Sequence, residues 1–217
     1  MANTVSFAPF EQLAETLLPY AAPNGSDGAH DIAHITRVWT NVRAISEVEG
    51  GDLVILLAAT LLHDCVSVEK DDPDRAKASS LAATAARKPL GRLNWRHEKI
   101  DQTCHAIEAH SFSANITPET LEARILQDAD RLDAIGLIGI ARCFYVAGRM
   151  GSGLYDPNDP RGENRALDDR SFAIDHFETK LLTLADGFTT AQGQQMAKAR
   201  HAELLAFRDA FLTQIGA

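Results

Sequence analysis

Apolar residues recur every three or four positions along most of the chain, the spacing that gives a helix one buried face. No convincing run of alternating β-branched residues is present, so the pattern predicts no sheet. Short stretches rich in Gly, Pro, Asn and Asp separate the periodic segments and are typical of turns. The sequence therefore predicts an all-α fold. The predicted helices span residues 8–19, 31–48, 52–65, 74–87, 97–110, 118–148, 171–186 and 190–214.

The length of 217 residues and the hydrophobic content of 45% are sufficient for one domain with a sizeable core. We predict a single domain over residues 1–217, with a helical core at about 30–147 and a C-terminal helical extension at 171–214. The loop between them, residues 148–170, is long enough to favour a functional role.

The net charge of −9 and the pI of about 5.3 argue against a nucleic-acid groove or an anionic membrane surface as partner. The longest apolar stretch, Leu53–Leu62, is too short to span a bilayer. No basic segment followed by an apolar one stands at the N-terminus, and the three cysteines are not clustered. We therefore expect a cytoplasmic protein with reduced thiols and a small-molecule partner. The oligomeric state stays open, a homodimer included.

The apolar run LVILLAATLLHD ends in His63 and Asp64. Burying such polar side chains costs free energy unless they form hydrogen bonds or bind a metal ion. His34 lies upstream in HDIAHITRV, and Asp130 lies downstream in ILQDADRLDAIG. Two imidazoles and two carboxylates suit a divalent ion better than a thiolate site would. The pattern predicts one such ion, with Mn or Mg preferred and Fe, Co, Ni or Zn as alternatives.

The two helices on either side of the Glu49–Gly51 turn explain how the histidines can meet. His34 lies roughly 24 Å before this turn and His63 roughly 18 Å after it, at a rise of 1.5 Å per residue. Antiparallel packing therefore brings both imidazoles to the same end of the pair. The plainer alternative is that His34 is only a polar residue in the first turn of its helix, behind an Asp31 cap.

Asp130 must reach the histidines by tertiary packing, because local geometry cannot place it. It competes with Asp128 and Asp133 in the same segment. Asp130 and Asp133 share a helix face at i, i+3, whereas Asp128 points largely away.

These residues resemble the motif of the HD-domain metal-dependent phosphohydrolase superfamily, which has His, then His-Asp, then Asp on an all-α core. His34, the pair His63 and Asp64, and Asp130 match the motif, and the likeness runs from about Asp31 to Phe144. The segments EKDDPDRAKASSLAA, AIEAHSFS and SFAIDHFETKLLTLADGFTT are similar to one bacterial subgroup of small stand-alone members. The resemblance implies hydrolysis of phosphate esters or anhydrides. The subgroup is similar to enzymes proposed to cleave nucleoside triphosphates to monophosphate and pyrophosphate.

Phosphoryl chemistry also requires a base near the attacking water and cations around the phosphates. We predict catalytic roles for Asp64, Glu69 and His110, with Asp71 and Asp72 close to Glu69 in the chain. The predicted substrate-binding cations are Arg37, Lys70 and Arg75. A solvated loop of mixed charge is the plainer reading of residues 69–75. We expect residues 66–80 and the loop 148–170 to select the substrate.

An expanded version of the superfamily binds two metals through extra histidines, for which His97 and His110 are the candidates. Thirteen residues of one helix separate them by about 20 Å, so both cannot ligate one cluster. The spacing therefore favours a single ion, with His110 nearer to the substrate or to metal-bound water.

The alternative functions are a phosphomonoesterase or phosphodiesterase on another metabolite, and a regulatory module that binds nucleotide without turnover.

Overall fold

The structure is a computed structural model that describes residues 4–21, 32–66, 68, 77–111 and 114–217. Within these ranges the chain is all-α, as predicted, and its only β-type pairing is an isolated bridge between Gly153 and Phe172. No helix of the described ranges is long and apolar enough to cross a membrane. The α-helices are α1 Glu11–Leu17, α2 Ile32–Glu49, α3 Leu53–Leu62, α4 Ala78–Gly91, α5 His97–Ala109, α6 Leu121–Asp133, α7 Gly136–Met150, α8 Asp175–Thr179 and α9 Ala191–Gln214. Short 3-10 helices cover Thr4–Phe7, Leu18–Tyr20 and Leu181–Gly187.

α3 is buried along most of its length, because nearly all of its side chains are apolar. Every residue from Ile55 to Leu62 is at most 3% exposed. Asp52 caps its start by accepting a hydrogen bond from the Val54 amide at 2.8 Å. The helix ends earlier than the predicted span 52–65, because the Cys65 amide bonds back to the Leu62 carbonyl at 3.1 Å in a tighter turn.

Two predicted helices are each divided in the structure. The span 118–148 breaks between α6 and α7, where Gly136 has a φ of +68° and so begins α7 from a left-handed conformation. A Cβ on Gly139 would also collide with the Ala134 carbonyl oxygen. The span 171–186 separates into α8 and the 3-10 helix Leu181–Gly187. Periodicity alone did not reveal these breaks, because both halves continue the apolar pattern.

The chain divides into two compact units, residues 1–130 and 131–217. In the first unit α3 packs against α2 and α5, and α4 packs against α5. In the second unit α7 packs against α9 around a cluster of phenylalanine rings at positions 144, 177, 207 and 211. The single domain over residues 1–217 stays a prediction.

Candidate metal centre

Three segments of the first unit bring the predicted ligands together. His34 lies on the buried face of α2 with 2% exposure, and His63 follows the last residue of α3 with 1% exposure. Asp64 is in the turn after α3, and Asp130 is on α6; their side chains are 36% and 29% exposed. The site therefore has a buried imidazole side and a more open carboxylate side.

The distances between the candidate ligand atoms suit the coordination of a metal ion. The Nε2 atoms of His34 and His63 are 3.2 Å apart. Asp130 Oδ1 lies 3.5 Å from His34 Nε2 and 3.8 Å from His63 Nε2. Asp64 Oδ2 lies 3.9 Å and 3.5 Å from the same two nitrogens. Neighbouring ligands at about 2.1 Å from one ion are about 3.0 to 3.4 Å apart. The donor atoms of His34, His63 and Asp130 all lie within 4.8 Å of one another and form a first group that could hold an ion.

Backbone contacts determine which nitrogen of His63 faces the cluster. Its Nδ1 lies 2.7 Å from the Thr60 carbonyl, which can only accept, so Nδ1 carries the proton. Nε2 then presents a lone pair to the other site residues. Burial also lowers the pKa of His63 from its ordinary value, and the neighbouring Asp64 opposes this effect. The neutral imidazole that metal binding requires is therefore favoured.

His110 joins the same cluster from the end of α5. Its Nδ1 donates to the Ile107 carbonyl at 2.6 Å, so Nε2 faces the cluster and lies 3.7 Å from Asp64 Oδ1. The His110 and His63 rings meet edge to face at 4.9 Å. Donor atoms of His63, Asp64 and His110 form a second group close enough to hold a metal ion. His97 begins α5, at the end of the helix opposite His110.

The structure also decides among the three aspartates of α6. Asp133 is 1% exposed and its carboxylate bonds to Arg142 at 3.2 Å. Asp128 is fully buried, whereas Asp130 directs its carboxylate to the histidines. Asp130 is therefore the aspartate that completes the cluster.

Of the other predicted site residues, the structure describes Arg37 but not those between residues 69 and 75. Arg37 is half-buried on α2, one turn beyond His34. Glu69, Lys70 and Arg75 lie outside the described residues, as do Asp31, Asp71 and Asp72. Tyr155, a residue of the long loop, packs its ring edge to face on Phe211 at 6.0 Å.

Sequence reasoning missed two buried amides beside the cluster. Asn41 donates to the Ala129 carbonyl at 2.9 Å, and Gln127 donates to the Ala109 carbonyl at 2.7 Å. A signal was available for Asn41, because it is a polar residue on the apolar stripe of α2, seven positions after His34.

Comparison with known proteins identifies the family of this site. The sequence model of the HD domain matches residues 31–135, a range that includes the four candidate ligands His34, His63, Asp64 and Asp130. The uncharacterized protein YpgQ of Bacillus subtilis is 35% identical over 182 residues, which are 82% of this chain and 80% of YpgQ. The chain belongs to the HD-domain family. The resemblance noted in the sequence is confirmed at this level.

Solved structures agree with that assignment. An HD-superfamily hydrolase from Bacillus thuringiensis superposes with a TM-score of 0.74 at 31% identity, covering 95% of this chain and 98% of the other. B. subtilis YpgQ in complex with ADP has a TM-score of 0.70 at 32% identity, covering 94% and 97%. The HD-domain protein described here is thus a hydrolase, and its general class is that of the phosphohydrolases.

Proposed function

We propose that this HD-domain protein is a divalent-metal-dependent phosphohydrolase that cleaves nucleoside triphosphates to monophosphate and pyrophosphate. The observation that carries the proposal is the cluster of His34, His63, Asp64 and Asp130, with nitrogen–oxygen distances of 3.5 to 3.9 Å. A nucleotide substrate is supported by the ADP bound to YpgQ. Pyrophosphate as the product rests on the subgroup likeness in the sequence.

The four side chains of the cluster are the proposed ligands of one Mn or Mg ion, with Fe, Co, Ni or Zn as alternatives. When bound, such an ion lowers the pKa of a coordinated water and neutralises charge on a phosphoryl oxygen. Asp64 and Asp130 would supply the negative charge that holds the ion. Asp64 is also a proposed catalytic residue. The two imidazoles would bind through Nε2, and burial favours the neutral form of His63 by lowering its pKa.

The protein supplies the proton transfer and phosphate binding around that ion. His110 Nε2 lies 3.7 Å from Asp64 Oδ1, so His110 is the candidate to exchange a proton with the attacking water or to form a hydrogen bond with the substrate. Glu69 is the second candidate base. Arg37, Lys70 and Arg75 are the proposed phosphate-binding cations.

Phosphorus NMR of the reaction products tests the proposed function. Full-length protein is stripped with a chelator, reloaded with Mn²⁺ or Mg²⁺, and incubated with each ribo- and deoxynucleoside triphosphate. We expect metal-dependent monophosphate and pyrophosphate, and no product from Asp64→Asn. Orthophosphate alone would favour stepwise removal of phosphates, and turnover only of phosphomonoesters or cyclic diesters would favour those alternatives. Tight nucleotide binding without any product would contradict the enzyme assignment.

Arg37 and Arg43 offer a matched pair on the same helix for the phosphate contact. Arg43 is exposed and reaches the Ala8 carbonyl at 3.4 Å, away from the cluster. Arg37→Ala should raise KM about 10-fold, because a charge-assisted contact to phosphate contributes about 1.5 kcal/mol. Arg43→Ala should leave KM unchanged. Equal KM values for the two variants would remove Arg37 from the binding site.

The cytoplasmic location stays a prediction from the N-terminal sequence and the unclustered cysteines. A small nucleotide rather than nucleic acid or membrane as partner stays a prediction that rests in part on the charge of −9. Binding assays with single-stranded RNA and anionic vesicles should show no retention at physiological salt.

A further inference from the structure

The helix that carries Asp130 is bonded to two other helices of the first unit by buried amide side chains. Asn41 on α2 donates to the carbonyl of Ala129, the residue directly before Asp130. Gln127 on α6 donates to the carbonyl of Ala109, the residue directly before His110. The two amide side chains are 4% and 6% exposed, so water does not readily replace either bond.

Each of the three connected helices, α2, α5 and α6, bears or adjoins a candidate site residue. Asn41 lies seven positions after His34, which is two turns later on the same face of α2. Gln127 lies one turn before Asp130 on α6, and its bond reaches the last residue of α5. The Ala109 carbonyl is one of the helix-end acceptors that have no partner within their own helix. Both bonds therefore fix the depth of α6 at the level of the cluster.

Hydrophobic packing alone would not hold α6 so closely in register, because it is non-directional and tolerates small sliding movements. Metal binding tolerates displacements of only about 0.5 Å in its ligands. An apolar residue of similar size would fill the core at position 41, whereas at position 127 it would leave the Ala109 carbonyl without its donor. The presence of two directional bonds, each beside a site residue, points to a role in geometry.

We propose that Asn41 and Gln127 are positioning residues that hold Asp130 at the distance from His34 and His63 that metal binding requires. The inference rests on the proposed metal site but not on the identity of the substrate. Loss of either bond lets α6 shift and moves the Asp130 carboxylate, which lies 3.5 Å from His34 Nε2. Residues that orient metal ligands typically change metal affinity by about 10- to 100-fold when they are replaced.

Mn²⁺ binding to the metal-free full-length protein tests the proposal without any activity measurement. Asn41→Leu and Gln127→Met keep the volume and remove the donor, and each should weaken Mn²⁺ binding about 10-fold, with a larger loss in the double variant. Thr103→Val is the control, because Thr103 is fully buried and bonds only within its own helix, to the Lys99 carbonyl. It should lower the unfolding temperature of the metal-free protein yet bind Mn²⁺ like the wild type.

If a variant does not fold without metal, Asn41→Ser or Gln127→Asn replaces it with the same expected loss, because each side chain is too short for the bond. Mn²⁺ affinities within twofold of the wild type in both amide variants would overturn the positioning role. An equal loss in Thr103→Val would overturn it too, since the effect would then be general destabilisation. Absence of Mn²⁺ binding in the wild type would instead overturn the proposed metal site, and this inference with it.

Discussion

His63 and Asp64 are neighbours in the chain, yet their side chains are 0% and 36% exposed. The difference arises because α3 ends at Leu62. His63 follows at the buried end of the helix, whereas Asp64 lies in the turn after it, where the side chain is more exposed. His63 can therefore be held by protein on all sides, and Asp64 can face both an ion and a substrate.

Asp64→Asn should preserve the shape of the turn and remove most of the bound metal, because a neutral amide is a poorer ligand than a carboxylate. Metal content measured by mass spectrometry should fall below a tenth of the wild-type value. The shift in unfolding temperature between metal-loaded and chelated protein should also disappear, since it reflects binding to the folded state. Asp101→Asn, at an exposed carboxylate paired with Arg87, is the matched control. Wild-type metal content in Asp64→Asn would contradict the site.

The lowered pKa of His63 predicts how the stability of the metal-free protein depends on pH. Burial is the main cause, and the ordinary value is 6.5. Below pH 6.5 the unfolded chain takes up a proton that folded His63 does not, so the free energy of unfolding decreases as the pH falls. The slope for one proton is at most about 1.4 kcal/mol per pH unit.

Urea unfolding of chelated protein between pH 7.5 and 5 measures this effect. His63→Gln should flatten the pH dependence, because the variant has no group to protonate at this position. His97→Gln should not change it, since His97 is exposed at the start of α5. A wild-type stability that is constant or increases as the pH falls from 6.5 would refute the assigned protonation state.

At the scale of secondary structure, the break between α6 and α7 is the feature that the apolar pattern concealed. Ile135 is extended with a ψ of 174°, and Gly136 is left-handed. A Cβ at Gly136 would also approach within 3.0 Å of Arg200 Cβ and 2.8 Å of Glu203 Oε2. Both backbone conformation and space therefore require glycine at this position.

Gly136→Ala and Gly148→Ala form a matched pair within α7. Gly136→Ala should destabilise the protein by at least about 1–2 kcal/mol, the cost of a left-handed alanine, with the crowding at Arg200 in addition. Gly148→Ala should stabilise it by up to about 1 kcal/mol, because Gly148 is inside the helix and a Cβ there meets nothing within 4 Å. Denaturant unfolding of the two variants gives both values. Equal values would mean that α6 and α7 form one continuous helix.

The long loop is anchored by side chains that sequence analysis did not single out. Arg165 binds the Asp175 carboxylate through two nitrogens, at 2.5 and 2.9 Å, and stacks over Phe172 at 4.9 Å. Asp175 is 2% exposed, so loss of Arg165 would leave a buried carboxylate without its cationic partner. Changes of substrate preference are therefore better tested by substitution of exposed loop residues than by deletion.

At the scale of the whole molecule, the boundary between the two compact units falls inside α6, between Asp130 and Arg131. Neither unit contains the complete helix. We therefore expect the metal-free protein to unfold in one cooperative transition, with equal calorimetric and van't Hoff enthalpies. Two separate transitions in scanning calorimetry would show that the units are independent domains and would contradict the predicted single domain.

The sequence by itself determined the features that depend on local periodicity. The spacing of apolar residues predicted an all-α chain, and α2, α5 and α9 begin and end within two residues of the predicted bounds. The rise of a helix per residue brought His34 and His63 to the same end of a hairpin, where their nitrogens lie 3.2 Å apart. The resemblance of these residues to the HD-domain motif was enough to indicate the family.

Tertiary structure decided which other side chains join the pair. Asp130 rather than Asp128 or Asp133 reaches the histidines, and His110 approaches Asp64 from another helix. The bond from Asn41 to Ala129 joins residues 88 positions apart. Such contacts depend on how helices pack, and a periodic pattern describes only the face of each helix, not its depth or rotation against a partner.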